Sequence, residues 1–244
     1  MRHSLPLLAL IIALFVIAAM PASAGISESE ETTIGKQGAA QLEAKFGLYA
    51  DAAQVLRLEN LGKKIIPVTE RRGLGYTFKI LNTDNVNALA LPGGFVYVTK
   101  GLLPLVTEEE LGFVLGHEIA HVSKRHSIHQ LEKQMWTDIG LVTLAAVLNK
   151  GQISQGSATT IQAASLIINS QYSRDDEREA DVASCVYMVA GLGFNPRAGA
   201  SFMRKMKKAG GGELPGFVNS LIGSHPLTDE RIKVIEEEAS RMGY

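Results

Sequence analysis

The chain has 244 residues, 46% of them apolar and 20% charged, and a formal net charge of −1. That composition belongs to a folded protein with room for one substantial core and excludes a disordered chain; its neutral balance gives no sign of a nucleic-acid partner. The single cysteine, Cys185, excludes an intramolecular disulfide, and its neighbours Val182, Val186 and Val189 place it in a helix core rather than make it a nucleophile.

The first 24 residues are different in kind. Arg2 and His3 precede an uncharged run from Leu5 to Met20, and Pro21-Ala22-Ser23-Ala24 follows. A short basic start, an apolar middle and a small-residue end read as a secretory signal cut after Ala24, which predicts an exported protein. The rival is an uncleaved anchor, because the run approaches spanning length; Pro21 and the small residues favour cleavage. Residues 25–244 are read as a single domain.

Helical spacing dominates from Glu28 to about Gly47 and from Asp51 to about Ile66, where Val55, Leu58, Leu61 and Ile65 form a stripe. Pro67 and the glycines at 73 and 75 stop it. Alternation and β-branched or aromatic residues then predict strands at 76–81, 87–90 and 95–98, the last two joined by a Pro92-Gly93-Gly94 turn. This small sheet, antiparallel in part, could offer an edge within 93–98 to an extended peptide; a purely structural hairpin is the equal alternative.

The stretch TEEELGFVLGHEIAHVS, Thr107 to Ser123, organises the rest. Thr107 and Glu110 form a capping box, Glu108 and Glu109 suit the positive end of the helix dipole, and Leu111, Val114, Leu115, Ile119 and Val122 predict a buried helix. On that helix His117 and His121 lie one turn apart on one face. Two imidazoles so placed can share a zinc ion, and the Glu118 carboxylate can reach a water beside it.

Beyond this helix, 138–148 is apolar but too short to span a bilayer; core is the default, with a dimer contact or a lipid-facing surface left open. Residues 151–157 read as a loop. A long helical segment is predicted from about Ala158 to Val189, with shorter helices near 196–208 and 228–242. The long segment holds SRDDEREAD, Ser173 to Asp181, in which Glu177 and Asp181 share a face. If that face meets the HEIAH helix, Glu177 completes a His-His-Glu site with one position open for water, and Asp181 can accept a hydrogen bond from a ligating ring. The bland alternative is a solvated charged face pairing with Arg174 and Arg178, and Asp175, Asp176 and Glu179 are assigned to it. His126 and His129 are assigned surface or packing roles.

HEIAH followed by an E-x-x-x-D helix resembles the gluzincin metallopeptidases. NALALPGG (87–94), LGHEIAHVSKRH (115–126), SRDDEREAD (173–181) and SHP (224–226) resemble the family containing HtpX, the CAAX prenyl proteases and periplasmic BepA, over about Glu31 to Arg231. The resemblance implies an α+β, mostly helical zincin-like domain with a small sheet beside the HExxH helix. It further implies His117, His121 and Glu177 as ligands of one zinc ion and Glu118 as catalytic base. It puts His225 at the active site, either stabilising the oxyanion or filling the fourth zinc position and holding the enzyme latent. The mature chain is expected to be without the several spans of HtpX and the prenyl proteases and the helical-repeat region of BepA, which would make it similar to the short periplasmic members. The function expected is an exported zinc endopeptidase acting on unfolded or misassembled envelope polypeptides, with peripheral membrane association through 138–148 left open. The alternative is a zinc-bound chaperone-like or membrane-surface binding protein; retention of Glu118 favours catalysis.

Overall fold

The computed structural model describes residues 25–137, 158–210, 221 and 223–244. Residues 1–24, read above as a secretory signal, the apolar stretch 138–148 and the expected loop 151–157 lie outside the described residues. Two helices lead in. Helix α1, Glu28–Phe46, starts in a Ser27–Glu30 capping box and stops at Gly47, whose φ of 68° suits a residue without a Cβ. Helix α2, Ala52–Ile65, is capped by the Asp51 side chain and closes in a short 3-10 turn at Pro67.

Three strands follow: β1, Thr77–Leu81; β2, Ala88–Leu91; and β3, Phe95–Thr99. The order is β1-β3-β2, with β3 parallel to β1 and antiparallel to β2. The expectation that a peptide edge lies within 93–98 is therefore corrected. β3 is hydrogen-bonded on both sides, and the outer edges belong to β1 and β2. The turn supplies the reason: Gly93 and Gly94 adopt φ of 79° and 95° and fold β2 back along β3.

Alternation along β3 divides the interior. Val96 and Val98 face the larger core, with α2 and the HEIAH helix, whereas Tyr97 faces a second cluster with Ile34 and Leu42 of α1. Helix α3, Glu108–Ser123, carries HEIAH and lies against β2 in the larger core. Its capping box forms as the sequence predicts, and every residue from Glu110 to Ser123 is buried. Leu111, Phe113, Leu115 and Ile119 each lose nearly all their solvent contact, at roughly 1.5–3 kcal/mol apiece. That burial makes α3 a rigid platform.

Helix α4, His126–Thr137, follows a sharp reversal at Arg125. The continuous helix predicted from 158 to 189 is two helices. Helix α5, Ala158–Ile168, ends where the Asn169 and Ser170 side chains bond back to the carbonyls of Ser165 and Ile167. Ser173 then caps a new helix, α6, Arg174–Tyr187, by a capping box with Asp176. Glu177 consequently sits in a first helical turn, where its charge suits the helix dipole, and not mid-helix. A π turn, Met188–Leu192, ends at Gly193, and helices α7, Arg197–Lys208, and α8, Asp229–Arg241, pack beside α3 and α6. The whole is α+β, mostly helical, with the small sheet beside α3. Cys185 is fully buried on α6, and no described helix is long and apolar enough to cross a membrane.

Candidate active site

Helices α3 and α6 make the most extensive helix contact in the described structure, and one glycine permits it. A Cβ on Gly116 would come within 2.6 Å of Ser184 Oγ, which donates a 2.7 Å hydrogen bond to the Phe113 carbonyl. This close crossing brings the first turns of α6 over the two histidines. His117 Nε2 and His121 Nε2 are 3.0 Å apart, and Glu177 reaches them at 3.6 and 3.5 Å.

His225 arrives from the bend before α8. Its Nδ1 lies 2.8 Å from Glu177 Oε1 and 3.3 Å from His117 Nε2, while its Nε2 faces Glu118 Oε1 at 3.6 Å. One atom from each of His117, His121, Glu177 and His225 falls within 4.8 Å of all the others, and all four residues are buried. Ligands placed about 2.0–2.1 Å from a tetrahedral zinc ion would stand roughly 3.3 Å apart, so this set of nitrogens and a carboxylate fits one metal ion. The other carboxylate oxygen of Glu118 is buried beside the cluster, with no hydrogen-bond partner among the described residues.

Asp181, one turn beyond Glu177, is fully buried. Its Oδ1 stands 3.0 Å from His117 Nδ1, a short but poorly aligned contact. The same carboxylate takes both Nε and Nη2 of Arg231 at 2.7 Å. Nη1 of Arg231 also pairs with Glu177 Oε2 and donates to the Pro226 carbonyl at 3.1 Å, tying both acids to the segment that carries His225.

Electrostatics follow from burial and these neighbours. Burial raises the Glu118 carboxyl above its usual range, against the pull of His225 and His117. Burial would do the same to Glu177, but His225, His117 and Arg231 outweigh it and hold that carboxyl at about 2. Burial drives His121 well below the ordinary imidazole value, so its ring is neutral. His225 moves the other way: burial would lower it, but the Glu177 and Glu118 carboxylates raise it.

The sequence reading missed three neighbours of this cluster. His126, set aside as surface or packing, is 2% exposed, with Nδ1 2.9 Å from His121 Nδ1. Tyr172 stacks on His121 at 3.7 Å between ring centroids, its hydroxyl 2.7 Å from Ser127 Oγ. Arg231 had drawn no attention. Glu179, assigned to a solvated face, is half-exposed, yet it reaches His126 Nε2 at 3.3 Å and Lys124 at 3.5 Å. Residues 117, 118, 121, 177, 181 and 225 all meet at one place.

A buried HExxH helix crossed by a helix that brings in a carboxylate is the arrangement of a metallopeptidase site. The chain belongs to peptidase family M48, whose model matches residues 52–239. It is 27% identical over 229 residues to a beta-barrel assembly-enhancing protease of Yersinia pestis, covering 91% of this chain and 46% of that one. It is 26% identical over 221 residues to the metalloprotease YcaL of Escherichia coli strain K12, covering 88% and 82% of the two chains. The mitochondrial metalloendopeptidase OMA1 of Schizosaccharomyces pombe is 31% identical over 177 residues, 72% of this chain and 50% of that one. The chain thus spans about half the length of the Yersinia and Schizosaccharomyces relatives.

Proposed function

We propose that the protein is an exported zinc endopeptidase of the cell envelope, with His117, His121 and Glu177 as metal ligands and Glu118 as general base. The observation that carries this is the convergence of the ligand atoms of four buried residues, with a Glu118 oxygen beside them that has no partner among the described residues. Zinc, when bound, would supply Lewis acidity for the attacking water and the scissile carbonyl.

The remaining steps belong to the chain. Glu118, its carboxyl raised by burial, accepts the proton of the attacking water and returns it to the leaving amine nitrogen. Asp181 stands beside the His117 ring, placed to accept its Nδ1–H, and Arg231 holds Asp181. The outer edge of β2, which packs on α3, offers main-chain hydrogen bonds to an extended polypeptide. Unfolded or misassembled envelope proteins are the proposed substrates, in keeping with the assembly-enhancing name of the Yersinia relative and the exported reading of residues 1–24.

His225 favours a second reading, a site held closed. Its Nδ1 stands among the ligand atoms and its Nε2 faces Glu118, so it fills the position the attacking water needs. A chain latched in this way would bind polypeptide without cleaving it until the His225 segment moves. Casein cleavage by the zinc-loaded mature chain, beside Glu118→Gln and His225→Ala, separates the two. Wild-type activity lost in Glu118→Gln supports the open peptidase. Activity gained only in His225→Ala supports the latch, and inactivity of all three against casein and unfolded outer-membrane proteins refutes the peptidase reading.

A further inference from the structure

Among the described residues, Arg125 is the only non-glycine in the left-handed region, with φ of 58°. A side chain there is strained by its Cβ, so something must hold the turn. The Arg125 guanidinium donates to Glu31 Oε2 at 2.9 Å and to the Ile26 carbonyl. Glu31 is itself fully buried and also takes Arg71 at 2.6 Å and the Gly93 amide at 3.2 Å. The reversal stops α3, starts α4 at His126, and returns the His126 ring against His121 at 4.9 Å between centroids.

The hydrogen-bond bookkeeping then has one solution for neutral rings. Outside a shared metal site, two ring nitrogens 2.9 Å apart must be one donor and one acceptor. Among the described residues His126 Nε2 faces only carboxylates, Glu179 Oε2 at 3.3 Å and Asp176 Oδ1 at 3.9 Å, and ionised carboxylates accept without donating. The His126 proton therefore sits on Nε2 and its Nδ1 is a lone pair. His121 must donate from Nδ1, which leaves the His121 Nε2 lone pair directed at His117 Nε2 and Glu177.

From this geometry we infer that His126 is a positioning residue for His121: it accepts the Nδ1–H, fixes the tautomer and presents Nε2 to the metal, with Glu179 orienting His126 and the clamped Arg125 turn holding it in place. The inference rests on His121 being a metal ligand. It gives the two histidines of HEIAH different supports, His117 from α6 through Asp181 and His121 from α4 through His126. It also carries the N-terminal helix, which precedes the matched family region, into the metal site through Glu31.

The test is zinc affinity by chelator competition, with the absorption spectrum of the cobalt-loaded chain as a second signature, on wild type, His126→Asn, His126→Gln and His126→Leu. Asparagine puts a carbonyl where Nδ1 stands; glutamine puts its carbonyl farther out, and leucine has no acceptor. The expected result is a 10–100-fold loss of affinity and an altered cobalt spectrum in the Gln and Leu variants, with Asn within a few-fold of wild type. If Leu is too unstable to purify, the Asn–Gln contrast alone decides. Equal affinity in all variants, or Asn no better than Gln, overturns the inference while leaving the metal site standing. A wild-type chain that binds no metal overturns both.

Discussion

The approach of α6 to α3 can be tested at one atom. Gly116→Ala adds a methyl group 2.6 Å from Ser184 Oγ and 3.4 Å from Ser184 Cα and Cβ. The two carbon contacts are tolerable; the hydroxyl one is not. Alanine in a helix interior contributes about 0.8–1.0 kcal/mol over glycine. Against this, Ser184 must rotate and give up its bond to the Phe113 carbonyl, about 1 kcal/mol, or α6 must shift, at roughly 1–3 kcal/mol for an overpacked core. Gly116→Ala should therefore lie between neutral and about 2 kcal/mol less stable in urea unfolding of the metal-free chain. Metal affinity should fall further, because the displaced helix carries Glu177 and Asp181. Ser184→Ala removes the obstructing oxygen, so the double substitution should be about 1–2 kcal/mol more stable than the sum of the singles. A Gly116→Ala protein stabilised by the full propensity gain, with unchanged metal affinity and no coupling to Ser184, would refute the close-crossing argument.

Arg231→Met should cost about 3–5 kcal/mol in denaturant unfolding, because it leaves the buried Asp181 and Glu177 carboxylates without their cation; a loss below about 1 kcal/mol would show that the guanidinium is dispensable. Glu70 makes a pH prediction. Burial would raise its carboxyl, but hydrogen bonds from Lys124, Tyr187 and Ser123 outweigh this and hold it at about 2. Its contribution is thus fully present above the unfolded carboxylate value and is lost as pH falls through about 2. The stability gap between wild type and Glu70→Gln should be constant near neutrality and close on acidification; a gap that widens in acid would contradict the assignment. Because Glu70 is half-exposed, the gap should be small.

What the sequence revealed were relations along one helix. The Thr107–Glu110 cap, the HEIAH face and the Glu177–Asp181 spacing each depend on positions three or four apart, and α3 and α6 preserve them. Ser173-x-x-Asp176 was an equally local signal for a helix start, but the apolar residues on either side concealed it. His126 and Arg231 were illegible for another reason. His126 returns to His121 only because Arg125 adopts a left-handed conformation, and Arg231 meets Asp181 across fifty positions of chain. Neither relation leaves a periodicity. The sheet divides in the same way: its strands and the Gly93-Gly94 turn are written locally, whereas the central place of β3 depends on its parallel pairing with β1.

Cys185 stands one turn beyond Asp181 on α6, fully buried, its thiol pushed up to about 12 by burial. As the chain's single cysteine, it is a built-in clock for the opening of this helix. A thiol reagent can mark it only in molecules whose packing around α6 has opened, so the labelling rate counts openings without an added reporter. Metal bound only to the closed form slows that clock in proportion, about a hundredfold at a free concentration one hundred times the dissociation constant. One mass measurement over time would then read helix docking and metal occupancy together, on a protein whose catalysis need not be running.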